Sequence, residues 1–309
     1  MGQLMKAFFF KISKDIAFRV TLIVGGVLAL MMTGIYALLQ GAITNIGEGF
    51  ENMKFLTGET MLLTSFSPLQ NFGFAIPINL VIFTYLEFTQ GTIRNKIIAG
   101  HSKFEIYSSL YLSGLVYAFA LLLAYVGICT ALGSIFGGFD PNGAVMAVTN
   151  GGSGGYASPE YIIKFVVVAL ITYTSIVSFT VFIVTTFRNI GPSLPLIIIV
   201  PFILYFVALF ANTAEGVARE IYLAEVNAAA QGAQYDVAAA EQSLKAFEAI
   251  NNISKCVNPY HAISVSTMNG ENKLIMDDMT FVGGIVNNVL WAGLFYGFGC
   301  LQFMKRDVK

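Results

Sequence analysis

Residues 106–139 read IYSSLYLSGLVYAFALLLAYVGICTALGSIFGGF, a run of 34 residues without Asp, Glu, Lys or Arg. An α-helix rises about 1.5 Å per residue, so roughly 20 such residues cross a hydrocarbon core of about 30 Å. A charge at the centre of such a helix would cost about 2.5–3.5 kcal/mol. The stretch therefore predicts a membrane-spanning helix.

Five further charge-free runs of at least 23 residues surround this one, at 20–47, 60–86, 165–187, 189–214 and 279–304. The chain is 56% hydrophobic and 11% charged, against about 25% charged residues in soluble domains. We predict an all-α polytopic membrane protein with six transmembrane helices. The predicted spans are 20–40, 71–88, 107–133, 163–187, 192–211 and 281–304. A seventh run, PNGAVMAVTNGGSGGYASP at 141–159, is rejected as a span because its Gly, Asn and Pro residues favour loops.

The distribution of positive charge predicts the orientation. Eleven Lys and Arg residues fall on the short segments that six spans place on one side. The short loops on the other side carry two, Lys54 and Lys164. By the positive-inside rule, both termini are expected in the cytoplasm, and we expect the chain in the plasma membrane. The cation-rich segments are 1–19, 88–105, 188 and 305–309.

Residues 1–18 have the pattern of an amphipathic helix. Leu4, Phe8, Ile12 and Ile16 recur every four residues. Such a helix can lie in the headgroup plane before the chain turns into the bilayer. We predict an interfacial elbow helix, with a cytoplasmic extension of the first span as the alternative.

The segment EFTQGTIRNKIIAGHSKFEIY, Glu87 to Tyr107, carries the densest signal between two spans. Gly91 and Gly100 predict turns, and the eight residues between them are enough for about two helical turns. The alternative is an ordinary solvated loop. Glu87 is the exceptional ionisable residue inside a predicted span, which makes it a functional candidate. It could instead pair with Arg94 or cap the following turn.

Residues 212–278 form a long connection with nine acidic and four basic residues. Asn212 followed by Glu215 predicts a helix cap. An Ala-rich stretch to about residue 250 then predicts one or two extracellular helices, broken near Gly232. The return to the membrane runs through Asn258-Pro259-Tyr260. This region could close a pathway, bind a partner or pack on the ends of the spans.

The sequence lacks the motifs for several binding and catalytic functions. The dipeptide Gly-Lys never occurs, so the chain has no Walker A loop for ATP phosphates. Neither His-Glu-x-x-His nor Cys-x-x-Cys occurs, and Cys129, Cys256 and Cys300 make no obvious disulfide pair or metal cluster. Buried charges suited to a proton or sodium relay are also absent from the spans. An uncharged, apolar or amphipathic cargo fits them better.

One hydrolase pattern is present. Gly151 to Gly155 satisfy Gly-x-Ser-x-Gly around Ser153, and His261 is the histidine on the same predicted side. An intramembrane serine protease would need these two side chains within hydrogen-bond reach. The match lies in a Gly-rich loop, where such patterns arise by chance.

Taken together, these features resemble the permease subunits of ABC-2 type transporters, the type V ABC exporter architecture. The elbow-like segment, the Glu87–Tyr107 stretch, Asn258-Pro259-Tyr260 and the ending Phe303–Val308 carry the resemblance. It extends over residues 1–309 as a single transmembrane permease domain. The region 212–278 is longer than the hairpin typical of polysaccharide exporters.

The resemblance implies a mechanism and partners. A separate cytoplasmic ABC ATPase would bind ATP and Mg²⁺, this chain would hold no cofactor, and it would pair with a second copy or a homologue. Residues 91–103 would form a coupling helix, and the cargo path would pass Asn79, Tyr85 and Tyr36. The residues that would couple to the ATPase are Glu87, Arg94, Asn95, Lys96, His101, Lys103, Arg188 and Asn189.

Two main functional hypotheses follow. The first is an ABC exporter permease for a hydrophobic or amphipathic compound, such as a peptide or a drug-like molecule, with no nucleic-acid partner. The second is a non-transport sensor, immunity or scaffold protein that binds a partner through its extracellular helices. Neither the cargo nor the direction of transport is specified by the sequence.

Overall fold

The computed structural model describes residues 2–14, 16–44, 56–66, 75–139, 144–146, 154–231, 237–264, 267–268 and 273–306. The helices are α1 (Gly2–Lys14), α2 (Ile16–Thr44), α3 (Gly58–Ser65), α4 (Ala75–Thr89), α5 (Thr92–Ile98), α6 (Lys103–Gly137), α7 (Pro159–Phe187), α8 (Ile190–Ala230), α9 (Val237–Val257), α10 (His261–Ser264) and α11 (Asp278–Lys305). The strands are β1 (Ala144–Met146), β2 (Gly154–Ala157), β3 (Thr267–Met268) and β4 (Lys273–Ile275).

Five of the described helices, α2, α6, α7, α8 and α11, are long and apolar enough to cross a membrane. The chain is therefore a helical, multi-pass membrane protein. Helix α4 has 15 residues, or about 22 Å, which is less than the hydrocarbon core. The first four residues of the predicted span 71–88 lie outside the described residues, so a sixth crossing stays a prediction.

The second charge-free run contains a helix that the sequence did not predict. Helix α3 packs on the end of α6, where the Gly58 N–H donates to the Gly138 carbonyl at 2.9 Å. A Cβ atom on Gly137 would lie 1.3 Å from the Leu56 carbonyl oxygen. Glycine is required there because the two backbones touch.

The ends of several helices meet at one end of the bundle, here called the α5 end. Lys103 Nζ donates to the Met304 and Arg306 carbonyls at 3.1 and 2.9 Å, which joins the start of α6 to the end of α11. Arg306 in turn donates to the Thr186 carbonyl near the end of α7. Segments predicted to carry the cytoplasmic cations therefore share one end.

Helix α1 follows the predicted amphipathic pattern in part. Leu4, Phe8 and Ile12 are buried, whereas Phe9 is half exposed. Ile16, which we assigned to the same stripe, is 75% exposed. The buried stripe thus ends with α1, and its interfacial placement remains a prediction.

Helix α8 does not end where we predicted. It continues without interruption from Ile190 to Ala230, so the predicted cap at Asn212 is wrong, and Asn212 is buried within the helix. Its 41 residues extend for about 60 Å, twice the thickness of the hydrocarbon core. About half of α8, on the side away from the α5 end, therefore exceeds the thickness of the hydrocarbon core, and we call this part the projecting half.

Helix α9 packs back along this projecting half as an antiparallel partner. Ala240 and Leu244 on α9 are buried. Arg219 Nη2 on α8 lies 3.0 Å from Glu248 Oε1 on α9 and 2.7 Å from Glu215 Oε1. The predicted break near Gly232 lies outside the described residues.

A small sheet, which the sequence did not predict, accompanies the helices. Its strand order is β1-β2-β4-β3, with β2 and β4 parallel and the outer pairs antiparallel. Tyr156 pairs with Lys273, which links the Gly-rich 141–159 segment to the end of the 212–278 region. These strands have two to four residues, too few to show a period-2 pattern.

The Asn258-Pro259-Tyr260 turn is held deep between α7, α8 and α11. Asn258 Nδ2 donates to the Leu204 carbonyl at 2.5 Å, and the Tyr260 N–H donates to Asn258 Oδ1 at 3.0 Å. Leu204 is 14 residues from the start of α8, or about 21 Å from the α5 end. The turn therefore lies level with the bundle interior, where its polar groups need protein partners.

Asn288 on α11 supplies such a partner. Its Nδ2 donates to the carbonyls of Pro259 at 2.9 Å and Gly284 at 2.8 Å, and its Oδ1 accepts from Ser175 at 2.8 Å. The neighbouring Asn287 is also buried, but its Nδ2 has no hydrogen-bond partner in the described part of the chain.

These adjacent asparagines allow a matched test. We expect Asn288→Ala to lower the free energy of unfolding by about 2 kcal/mol, because it leaves buried polar groups without partners. Asn287→Ala, the control in the same helix, should cost much less. Thermal unfolding of the detergent-purified variants measures both, and an equal loss in the two would contradict the assigned role of Asn288.

Candidate functional site

A buried carboxylate lies at the α5 end of the bundle. Glu87, in the last turn of α4, has a side chain that is only 2% exposed. The Lys11 ammonium contacts its Oε1, and Lys96 Nζ lies 2.6 Å from its Oε2. Thr92 Oγ1 lies 2.9 Å from the same Oε2. We call these four residues the Glu87 cluster.

The Glu87 cluster joins three elements of the fold. Lys11 belongs to α1, Glu87 to α4, and Thr92 and Lys96 to α5. A buried carboxylate costs several kcal/mol unless it is paired, and removing one partner of a buried pair typically costs about 3–5 kcal/mol. The position of α5 is therefore tied energetically to those of α1 and α4.

Two aromatic rings lie against the lysines of the Glu87 cluster. Lys11 Nζ lies 4.8 Å from the ring centroid of Phe83 on α4, and Lys96 Nζ lies 3.9 Å from that of Phe8 on α1. The two rings are themselves 6.3 Å apart. Each lysine thus meets both a carboxylate oxygen and an aromatic face, which favours a partly desolvated cation.

Two glycines give the chain the turns that this arrangement needs. Gly91 has φ +66° at the start of α5, and Gly100 has φ +88° just after its end. Both values lie in the left-handed region that favours glycine. The first turn brings Lys96 back to Glu87, nine residues earlier, and buries Ile93.

The charges of the cluster do not cancel. Two ammonium groups against one carboxylate leave an excess of one positive charge. Burial lowers the pKa of Lys96, while the adjacent Glu87 carboxylate acts in the opposite direction. The cluster is thus stabilised only while Glu87 stays ionised, since a neutral side chain would leave two lysines without a counter-ion.

Helix α5 has an inner and an outer face. Lys96 and Ile93 point into the bundle, whereas Arg94, Asn95 and Ile98 are exposed. The possible pairing of Glu87 with Arg94 is wrong, because Lys11 and Lys96 occupy both carboxylate oxygens. Arg94 and Asn95 are therefore the predicted coupling residues on α5 that are accessible to a partner protein.

The remaining predicted coupling residues make contacts at the α5 end. His101 Nδ1 lies 3.7 Å from Glu105 Oε2, and Lys103 holds the last carbonyls of α11. Asn189 caps α8 by accepting from the Gly191 N–H at 3.0 Å. Arg188 ends α7 with φ +52° and places its guanidinium 5.7 Å from the Phe88 ring centroid.

The predicted cargo-path residues lie on α2 and α4. Asn79 accepts a hydrogen bond from Thr21 at 2.7 Å and donates to the Ala75 carbonyl at 2.8 Å, so it joins α4 to α2. Tyr36 is buried and Tyr85 is half-buried. Their role in a path stays a prediction.

The protease hypothesis gains no support. Ser153 lies outside the described residues. His261 is buried, and its Nδ1 lies 3.0 Å from Ser254 Oγ. Across the described ranges, no three His, Cys, Asp or Glu side chains are grouped to hold a metal ion.

Sequence reasoning missed two kinds of residue. Lys11 and Thr92 complete the Glu87 cluster, but Lys11 is 76 residues from Glu87, and the contact of Thr92 depends on the turn at Gly91. Glu59, just outside a charge-free run, is buried at the start of α3, and its Oε1 has no hydrogen-bond partner among the described residues. Burial of a first-turn carboxylate could not be read from the sequence.

Comparisons of the chain with protein-family models, with curated proteins and with solved structures found no match.

The Glu87 cluster makes a direct prediction about α5. In Glu87→Gln, two buried lysines lose their counter-charge, so opening of α5 should become easier by about 3 kcal/mol. Hydrogen exchange of the 92–98 amides should then accelerate on the order of 100-fold.

The control is Glu105→Gln, at the same end of the bundle. Glu105 forms a capping box with Ser102, and glutamine keeps that motif. Its 92–98 amides should exchange at the wild-type rate. Unchanged exchange in Glu87→Gln would show that the cluster does not hold α5.

Proposed function

We propose that the chain is the membrane-spanning permease subunit of an ATP-driven exporter of the ABC-2 type. The observation that carries the proposal is the Glu87 cluster, which fastens a short basic helix at one end of the bundle to α1 and α4. The outer face of this helix, with Arg94 and Asn95, remains exposed.

This arrangement suits the transmission of force from a separate motor. A partner docked on the outer face of α5 would displace Lys96, and through it Glu87 and Lys11. Helix α4 is further linked to α2 by the Thr21–Asn79 hydrogen bond. Movement of α5 would therefore be transmitted to membrane helices instead of being absorbed by a loose loop.

Other features support the remaining parts of the proposal. The chain has no Walker A sequence, so ATP and Mg²⁺ would bind to a cytoplasmic ABC ATPase partner. The uncharged spans favour a hydrophobic or amphipathic cargo, passed between this chain and a second copy or homologue. The α5 end would face the cytoplasm, with the protein in the plasma membrane.

The projecting α8–α9 pair supports a second candidate, a scaffold or sensor that binds a partner at the opposite end. Arg219 links these helices through Glu215 and Glu248. A rigid projection of this length can present a surface to another protein. This candidate predicts a partner on α9 and none on α5.

Site-specific photo-crosslinking in cells separates the two candidates. A crosslinking residue replacing Asn95 on α5 should give an adduct with a protein that mass spectrometry identifies as carrying Walker motifs. The same residue replacing the exposed Gln242 on α9 should not.

Charge reversal tests the docking face itself. Arg94→Glu should reduce the Asn95 adduct about tenfold, as expected for loss of an interfacial charge contact of about 1.4 kcal/mol. A partner captured only from Gln242 would favour the scaffold. If Arg94→Glu leaves the adduct with the Walker-motif protein unchanged, Arg94 does not contribute to docking.

A further inference from the structure

A groove of about 580 Å³ runs between α8 and α9 on their projecting part. Its walls are mostly apolar and include Phe210, Val217, Ile221 and Phe247. Val217 and Ile221 are each about half exposed. The volume is within the range of sites that enclose a drug-sized ligand.

Helix length places most of this groove beyond the hydrocarbon core. Phe210 is 20 residues from the start of α8, or about 30 Å, and the groove continues from there to Glu225. Apolar side chains in that position face water instead of acyl chains. Covering them would recover about 25 cal/mol per Å² of surface.

Glu225 is the charged residue among the described residues that line the groove. Its Oε2 atom is buried and has no hydrogen-bond partner in the described part of the chain. Because the Glu225 carboxylate also lines the groove, an ammonium group bound there would supply it with a charged donor.

Three other acidic side chains of the same helix pair have described partners, and a fourth, Glu220, is exposed. Glu215 and Glu248 contact Arg219, and Glu241 lies 2.5 Å from Lys245 Nζ. Glu225 differs from these four residues because it lines the apolar groove and one of its oxygens is buried without a described partner. The contrast indicates a site that is complete only with a ligand.

We propose that this groove binds a free amphipathic amine, with its apolar body between α8 and α9 and its ammonium group on Glu225. The surrounding region 212–278 has nine acidic and four basic residues, an excess of five negative charges. That field attracts cations.

A phospholipid fits the groove less well. Its phosphate would be repelled by Glu225 and by the net negative charge of the region. Its two acyl chains would also need more volume than a groove of about 580 Å³ provides. The site does not depend on the proposed transport function, because it is defined by α8 and α9 and can be measured without an ATPase.

The test uses two benzophenone probes that differ in one group. The full-length protein in phosphatidylcholine nanodiscs is irradiated at pH 7 with 4-(aminomethyl)benzophenone or with its neutral analogue, 4-(hydroxymethyl)benzophenone. Mass spectrometry then maps the adducts. The amine should label the α8 and α9 segments saturably, at least about tenfold more than the alcohol does.

Two variants assign the roles of the carboxylate and the groove. Glu225→Gln should reduce amine labelling about tenfold, to the level of the alcohol. Glu220→Gln, an exposed carboxylate on the same helix, should leave it unchanged. Ala239→Trp, at an exposed position lining the groove, should abolish labelling by both probes.

Several outcomes would overturn the proposal. Equal labelling by amine and alcohol, or undiminished amine labelling of Glu225→Gln, would remove Glu225 from the site. Loss of labelling when phosphatidylethanolamine is added to the nanodiscs would show that a membrane lipid is the occupant. None of these results would affect docking of an ATPase on α5.

Discussion

A carboxylate that stays ionised when buried is strongly stabilised by cations beside it, and the arrangement at the α5 end follows from that interaction. Glu87 is almost fully buried, so Lys11 and Lys96 are drawn to its two oxygens. These lysines belong to different helices. Satisfying one buried charge therefore fixes the relative positions of α1, α4 and α5.

Buried polar groups in the uncharged interior of the bundle likewise need partners. In the bundle, polar side chains serve mainly to satisfy one another or the backbone. Asn79 accepts from Thr21, and Asn288 connects Ser175 to the carbonyl of Pro259. The Asn258-Pro259-Tyr260 turn can lie level with the membrane helices because such partners surround it.

The sequence predicted best where a single physical constraint decides the structure. Charge-free length identified the helices that became α2, α6, α7, α8 and α11, since the cost of burying charge keeps their central residues uncharged. The predicted end of α8 was wrong, because the Ala-rich residues after Asn212 favour helix more strongly than Asn212 favours a cap. The short strands gave no period to detect.

The candidate site was predicted in part. Glu87, Gly91 and Gly100 were identified because a carboxylate in a span and glycine turns are visible in the sequence. The partners of Glu87 were not, since the choice of Lys11 and Lys96 over Arg94 depends on how α1 and α5 pack. Tertiary proximity across 76 residues leaves no periodic signal.

A double-mutant cycle between Glu87 and Lys96 tests the central claim most directly. The free energies of unfolding of Glu87→Gln, Lys96→Met and the double variant would be measured in detergent micelles. The account predicts a coupling energy of about 1–3 kcal/mol, since each residue compensates for the other's burial. Losses that add to within about 0.5 kcal/mol would contradict it.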